Sequence, residues 1–175
     1  MLLSSAWLIG CTSLESHLSI EPYTQIKPMR DALEHLAESY CRKKRAALPV
    51  DSTRMPDYIF TTDGCTRSPD GSWSTCCIAH DIAYWCGGGE QDRKAADQEL
   101  SHCMNEKLPP LGTLYYAVVR IGGVPWLPSP WRWGYGWARW PANYEENTSS
   151  PSVHELLDQL KVYQLIEGHF SSGQP

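Results

Sequence analysis

Residues 76–84 read Cys76-Cys77-Ile78-Ala79-His80-Asp81-Ile82-Ala83-Tyr84, and the run continues through Trp85-Cys86 into Gly87-Gly88-Gly89. The triple glycine is a helix stop, so Cys76 to Cys86 is predicted as a helix. A second helix is predicted from Asp92 to Lys107, ended by Pro109-Pro110. Side chains four apart stack on one helical face. His80 therefore shares a face with Tyr84, and Cys77 with Asp81.

The second helix carries Ala96, Asp97, Leu100 and Cys103 at helical spacing. Suppose the two helices run antiparallel with Cys76 bonded to Cys103. Ala83 then comes level with Ala96, and two alanines permit a close crossing. Asp97 comes level with Ile82, midway between His80 and Tyr84. At a rise of ~1.5 Å per residue, the offset to each is about 3 Å along the axis. One carboxylate could accept from both the imidazole and the phenol, which makes a His–Asp pair backed by a tyrosine.

Outward from this pair, Pro28 to Ala47 is predicted as a third helix. Met29, Leu33, Leu36, Tyr40 and Cys41 recur at spacings of three and four. Asp31 and Glu34 lie early and Arg42-Lys43-Lys44-Arg45 late, which suits the helix dipole. The basic run reads either as a solvated helix end or as a patch touching anionic lipid head groups. Residues 48–75 read as loop. The segment 108–143 is dense in Gly and Pro and holds five of the eight tryptophans. Residues 145–151 read as a linker and 153–166 as a short amphipathic helix. The expectation is a mainly α, disulfide-laced domain over 23–143 with long loops, followed by a tail over 144–175.

The length of 175 residues suits one domain, and a hydrophobic content of 42% excludes wholesale disorder. Fifteen basic against 20 acidic residues, a net charge of −5, argues against a nucleic-acid partner. Seven cysteines leave one over after pairing. Residues 1–10 form a short apolar stretch ending in Leu8-Ile9-Gly10-Cys11, which resembles a bacterial lipobox. That predicts a signal over 1–10, lipidation of Cys11 and a tether over 11–22, although no Lys or Arg precedes the apolar run. A buried N-terminal strand or helix is the competing reading. The other six cysteines suit three disulfides in an oxidising compartment. The chain is thus expected to be exported, and either lipid-anchored to a bacterial membrane or secreted.

Cys76, Cys77, His80, Asp81 and Tyr84, followed by Asp97, resemble the signature of the phospholipase A2 superfamily. In that family Cys-Cys-x-x-His-Asp-x-x-Tyr lies on one helix and a second Asp on its antiparallel partner. Upstream, Asp63-Gly64-Cys65-Thr66-Arg67-Ser68-Pro69-Asp70 looks like the calcium-loop segment of the microbial and fungal branch. It does not look like the Gly-rich loop with two cysteines of venom and pancreatic members. The resemblance covers roughly residues 57–104. Many animal members carry a further disulfide between the positions of Ala83 and Ala96; here both cysteines are replaced by alanine.

The resemblance implies calcium-dependent hydrolysis of a phospholipid acyl ester at a membrane surface. His80 would be the general base, with Asp97 holding its tautomer and Tyr84 steadying Asp97. Asp81 would ligate Ca2+, a hard cation that takes oxygen donors, with Asp63 and carbonyls near Gly64 completing the shell. Among the fifteen connectivities open to six cysteines, the family's pairing implies Cys76–Cys103 and Cys65–Cys77, leaving Cys41–Cys86. Asp92 is a rival for the second carboxylate, but Cys103 lies six residues after Asp97, the family's spacing, and Asp92 suits a helix N-terminus. A zinc site on Cys76, Cys77, His80 and Cys103 is disfavoured because adjacent helical cysteines diverge. Trp131, Trp133 and Trp137 are expected at a membrane interface; the competing reading has these rings capping a small core in a chain with two Phe. Two functional alternatives stand beside hydrolysis of phospholipid: a catalytically weak lipid-binding or toxin-like module, and a hydrolase of another ester.

Overall fold

The computed structural model describes residues 27–46, 48, 54–65, 73–140, 142–147, 153 and 155–160. Cys11 and the predicted signal and tether lie outside these residues. The described chain is mainly helical: α1 (Lys27–Arg45), α2 (Ser74–Cys86), α3 (Glu90–Lys107) and α4 (Leu111–Gly122), with further helical residues at 153 and 155–160. No strand occurs among the described residues. Among the described residues, no helix is long and apolar enough to cross a membrane.

In α1 the buried stripe is Leu33, Leu36, Ala37, Tyr40 and Cys41, the spacing read from the sequence. The side chain of Met29 lies outside the described residues. Helix α2 is buried on every side, and only Asp81 within it is partly exposed. A helix apolar all round belongs in the middle of a core, and α2 sits between α1 and α3. It stops where Gly87 and Gly88 take φ of +74° and +131°, a region that favours glycine. Helix α3 follows at once, and Asp92 caps its start by accepting from the Gly89 N–H at 2.9 Å.

Helix α4 departs from expectation, since 108–143 carried no predicted helix. Pro109-Pro110, read as the end of α3, also opens α4, where proline is tolerated because the first N–H groups have no helical partner. The short link folds α4 back against α3. A Cβ at Gly112 would overlap the Ser101 carbonyl oxygen, so glycine is what allows this close crossing. The Gly112 N–H donates to Asn105 Oδ1 at 2.9 Å across the same contact.

The basic run divides, with Arg42 and Lys43 exposed as a solvated helix end would have them. Lys44 and Arg45 are buried. Lys44 pairs with Asp92 at 3.3 Å and lies over the Trp133 ring. Burial pulls its ammonium below the usual lysine value, partly offset by Asp92. Arg45 pairs with Glu145 and Lys43 with Glu155, both at 2.8 Å. The predicted tail is thereby tied to α1. Val153, Leu156, Leu157 and Leu160 enter the same core as α1 to α3, so that core extends past the expected boundary at 143.

Candidate active site

Three disulfides frame α2: Cys41–Cys86 to α1, Cys65–Cys77 to the preceding loop and Cys76–Cys103 to α3. These are the pairs that the resemblance implies. With Cys76, Cys77 and Cys103 so bonded, no thiolate is left among them for zinc.

Asp97 Oδ1 lies 2.9 Å from His80 Nε2 and accepts from the Tyr84 hydroxyl at 2.7 Å. Both partners come from the face of α2 that the helical spacing defined. Asp97 is 0% exposed and His80 6%. A carboxylate at Nε2 makes that nitrogen the donor and leaves Nδ1 as the acceptor. The His80 and Tyr84 rings are 4.1 Å apart, and Tyr84 packs edge-on against Trp133. Asp92 stands apart, occupied with Lys44 and the helix start.

The other oxygen of Asp97 is held by a residue that sequence reasoning missed. Arg120 on α4 donates from Nη1 to Asp97 Oδ2 at 2.8 Å. Arg93, one turn before Asp97, donates from Nε to the Tyr84 hydroxyl oxygen at 3.2 Å. Its remaining nitrogens donate to the carbonyls of Val119 and Arg120 and to the Tyr144 hydroxyl. Burial alone would raise the Asp97 carboxyl, but His80, Arg120 and Tyr84 together hold it below its ordinary value. Burial and the Asp97 charge push the Tyr84 hydroxyl well up, so it stays protonated and donates. The available signal for Arg120 was its position as the lone charge in the apolar run 111–124.

His80, Asp81 and Tyr84 line a cavity of about 510 Å³ whose opposite wall is α4, with Leu100, Gly64 and Trp131 also facing it. The walls are mostly apolar with a few polar groups among them, the usual lining of a small-molecule site. Asp81, at its edge, accepts from Thr62 Oγ1 at 2.6 Å, and Thr62 also caps the Gly64 N–H at 3.1 Å. The Tyr135 hydroxyl donates to the carbonyls of Thr61 and Asp81, tying loop 54–65 to α2. Burial and then the charges of Asp81 and Asp63 push this hydroxyl well up. The donors near Asp81 are oxygens, which fits a hard cation and not zinc. Among the described residues no three His, Cys, Asp or Glu side chains converge on one point. Asp81 and Asp63 would therefore need main-chain oxygens to complete a calcium shell.

The tryptophans divide. Trp133, expected at a membrane interface, is 1% exposed and donates from Nε1 to the Gly88 carbonyl, so it is a core residue. Trp137 is half-buried, donating to the Cys86 carbonyl beneath the Arg45 guanidinium. Trp131 lines the cavity. The large exposed apolar side chains nearby are instead Leu114, Val118 and Ile121 of α4, with Trp126 and Trp140 beyond it.

No family model matches the chain, and no curated protein or solved structure matches it either.

Proposed function

We propose that this chain is a phospholipase A2-type hydrolase, cleaving a phospholipid acyl ester at a membrane surface with calcium as cofactor. The observation that carries this reading is His80 on the cavity wall, its Nε2 held by a buried Asp97 that Tyr84 also engages. The antiparallel pair α2 and α3, joined by Cys76–Cys103, supports a phospholipase A2-like arrangement. Three disulfides support an oxidising, extracytoplasmic setting, with Cys11 as the proposed lipid anchor.

In this mechanism Asp97 keeps the proton on Nε2, so Nδ1 removes a proton from water as its oxygen attacks the ester carbonyl. Asp97 then stabilises the imidazolium, which returns the proton to the departing alkoxide. Arg120 and Tyr84 hold Asp97 in place, and the apolar walls around Leu114 and Val118 receive the acyl chain. Asp81, Asp63 and main-chain oxygens near Gly64 would hold calcium, which when bound supplies Lewis-acid polarisation of the ester carbonyl.

The test is fatty-acid release from phosphatidylcholine vesicles, with calcium or with EDTA. Wild type is expected to act only with calcium. His80→Ala should lose roughly a hundredfold or more, the usual worth of a general base, and Asp81→Asn should lose the calcium response. Activity that survives EDTA or either substitution overturns the mechanism. A second reading, a lipid-binding module without turnover, is favoured by the cavity taken by itself. It predicts fatty-acid binding with no hydrolysis of any lipid.

A further inference from the structure

The α4 wall of the cavity consists of two rows that step down in size. One runs Leu114, Val118, Gly122 and the other Tyr115, Val119, Gly123, each at the four-residue spacing that stacks side chains. The two glycines are not equivalent. A Cβ at Gly123 would fall 2.5 Å from the Tyr84 hydroxyl oxygen, so glycine there makes room for the tyrosine that engages Asp97. A Cβ at Gly122 would meet only Trp131 Nε1, at 3.9 Å, which is ordinary contact. Packing therefore does not require glycine at 122. Gly122 is the last residue of α4, where glycine's low helix propensity costs least, so helix formation does not require glycine there. What the missing side chain leaves is space on the cavity wall.

The cavity's 510 Å³ lies within the range of about 300–1,000 Å³ usual for small-ligand sites. We propose that Gly122 determines the chain length the cavity accepts: the space it leaves beside Trp131 is what admits a long acyl chain, while short chains use the remainder. This rests on the cavity being the acyl site of the proposed hydrolase.

The test reads binding without turnover. A dansyl-labelled fatty acid is bound to the intact protein and displaced by octanoate, laurate and palmitate, in wild type, Gly122→Ala and Gly122→Leu. Wild type should favour palmitate. Gly122→Leu should weaken palmitate more than tenfold and leave octanoate within twofold, since each methylene denied burial is worth roughly fourfold. Gly122→Ala, whose Cβ has room, should weaken palmitate about fourfold and is the deciding variant if the leucine protein does not fold. Palmitate displacement unchanged in the folded variants overturns the proposal, and so does equal weakening of all three acids. A wild type displaced by none of them overturns it too. Hydrolysis absent from a wild type that shows the Gly122 shift strikes the catalytic mechanism alone and supports this inference.

Discussion

Asp97 is fully buried and charged, a combination that persists only where donors replace the lost water. It receives His80 and Tyr84 on one oxygen and Arg120 on the other. Its lowered folded-state value means that folding favours the carboxylate. The stability this supplies is fully present above the unfolded carboxyl value near ~3.9. It is lost as pH falls through the lower folded value. Arg120→Met removes one of the groups holding that value down, so at neutral pH the variant should be about 2 kcal/mol less stable, typical of a hydrogen bond to a charge. Thermal midpoints of the two proteins should converge at acid pH, where Asp97 is protonated in both. A gap that stays constant down to acid pH would show that Arg120 acts through packing alone. Of the residues around Asp97, those on α2 were legible because helical spacing is local. Arg120 was not, because its contact joins α3 to a helix hidden among glycines and prolines.

Among the elements, α2 is the axis of the molecule and α4 the wall of its cavity. The predicted helix Cys76–Cys86 became Ser74–Cys86, an extension of two residues at its start. Helix α4 escaped because glycine and proline crowd both its ends, and not for want of a period, since Leu111, Leu114, Tyr115, Val118 and Val119 recur at spacings of three and four. Leu111, Tyr115 and Val119 pack against the core, whereas Leu114, Val118 and Ile121 are exposed. The segment after α4 is fastened by Arg132, whose buried guanidinium donates to the carbonyls of Gly134 and Trp137, both at 2.7 Å. Trp133 sits within this wrap and Trp131 at its cavity side, so the two rings should respond differently. Trp133→Ala is expected to cost roughly 3–5 kcal/mol in chemical denaturation, the usual loss for a buried large aromatic. Trp131→Ala should cost less than half of that and alter vesicle binding instead. Equal destabilisation by both would remove Trp131 from any surface role.

For the whole molecule, one core is shared by α1, α2, α3, Trp133 and the C-terminal leucines. Cys41–Cys86 joins the two earliest helices across 45 residues, the longest separation of the three disulfides. A cross-link of this span stabilises chiefly by restricting the unfolded chain, by about 4 kcal/mol in the loop-entropy account. The double variant Cys41→Ala, Cys86→Ala should show that loss in guanidinium denaturation without reductant. A loss under about 1 kcal/mol would mean that helix packing alone joins α1 to α2. The Lys43–Glu155 and Arg45–Glu145 pairs add a second fastening at the same end. Sequence by itself determined that His80 and Tyr84 share one face of α2, because that follows from the helical repeat; their facing Asp97 followed only with the Cys76–Cys103 pairing that the resemblance implies. Only the tertiary structure decided that Arg120 clamps Asp97, that Lys44 and Arg45 turn inward and that Trp133 belongs to the core. Each of these joins residues far apart in the chain, and burial of a charge or ring depends on what the rest of the fold brings against it, which no local period encodes.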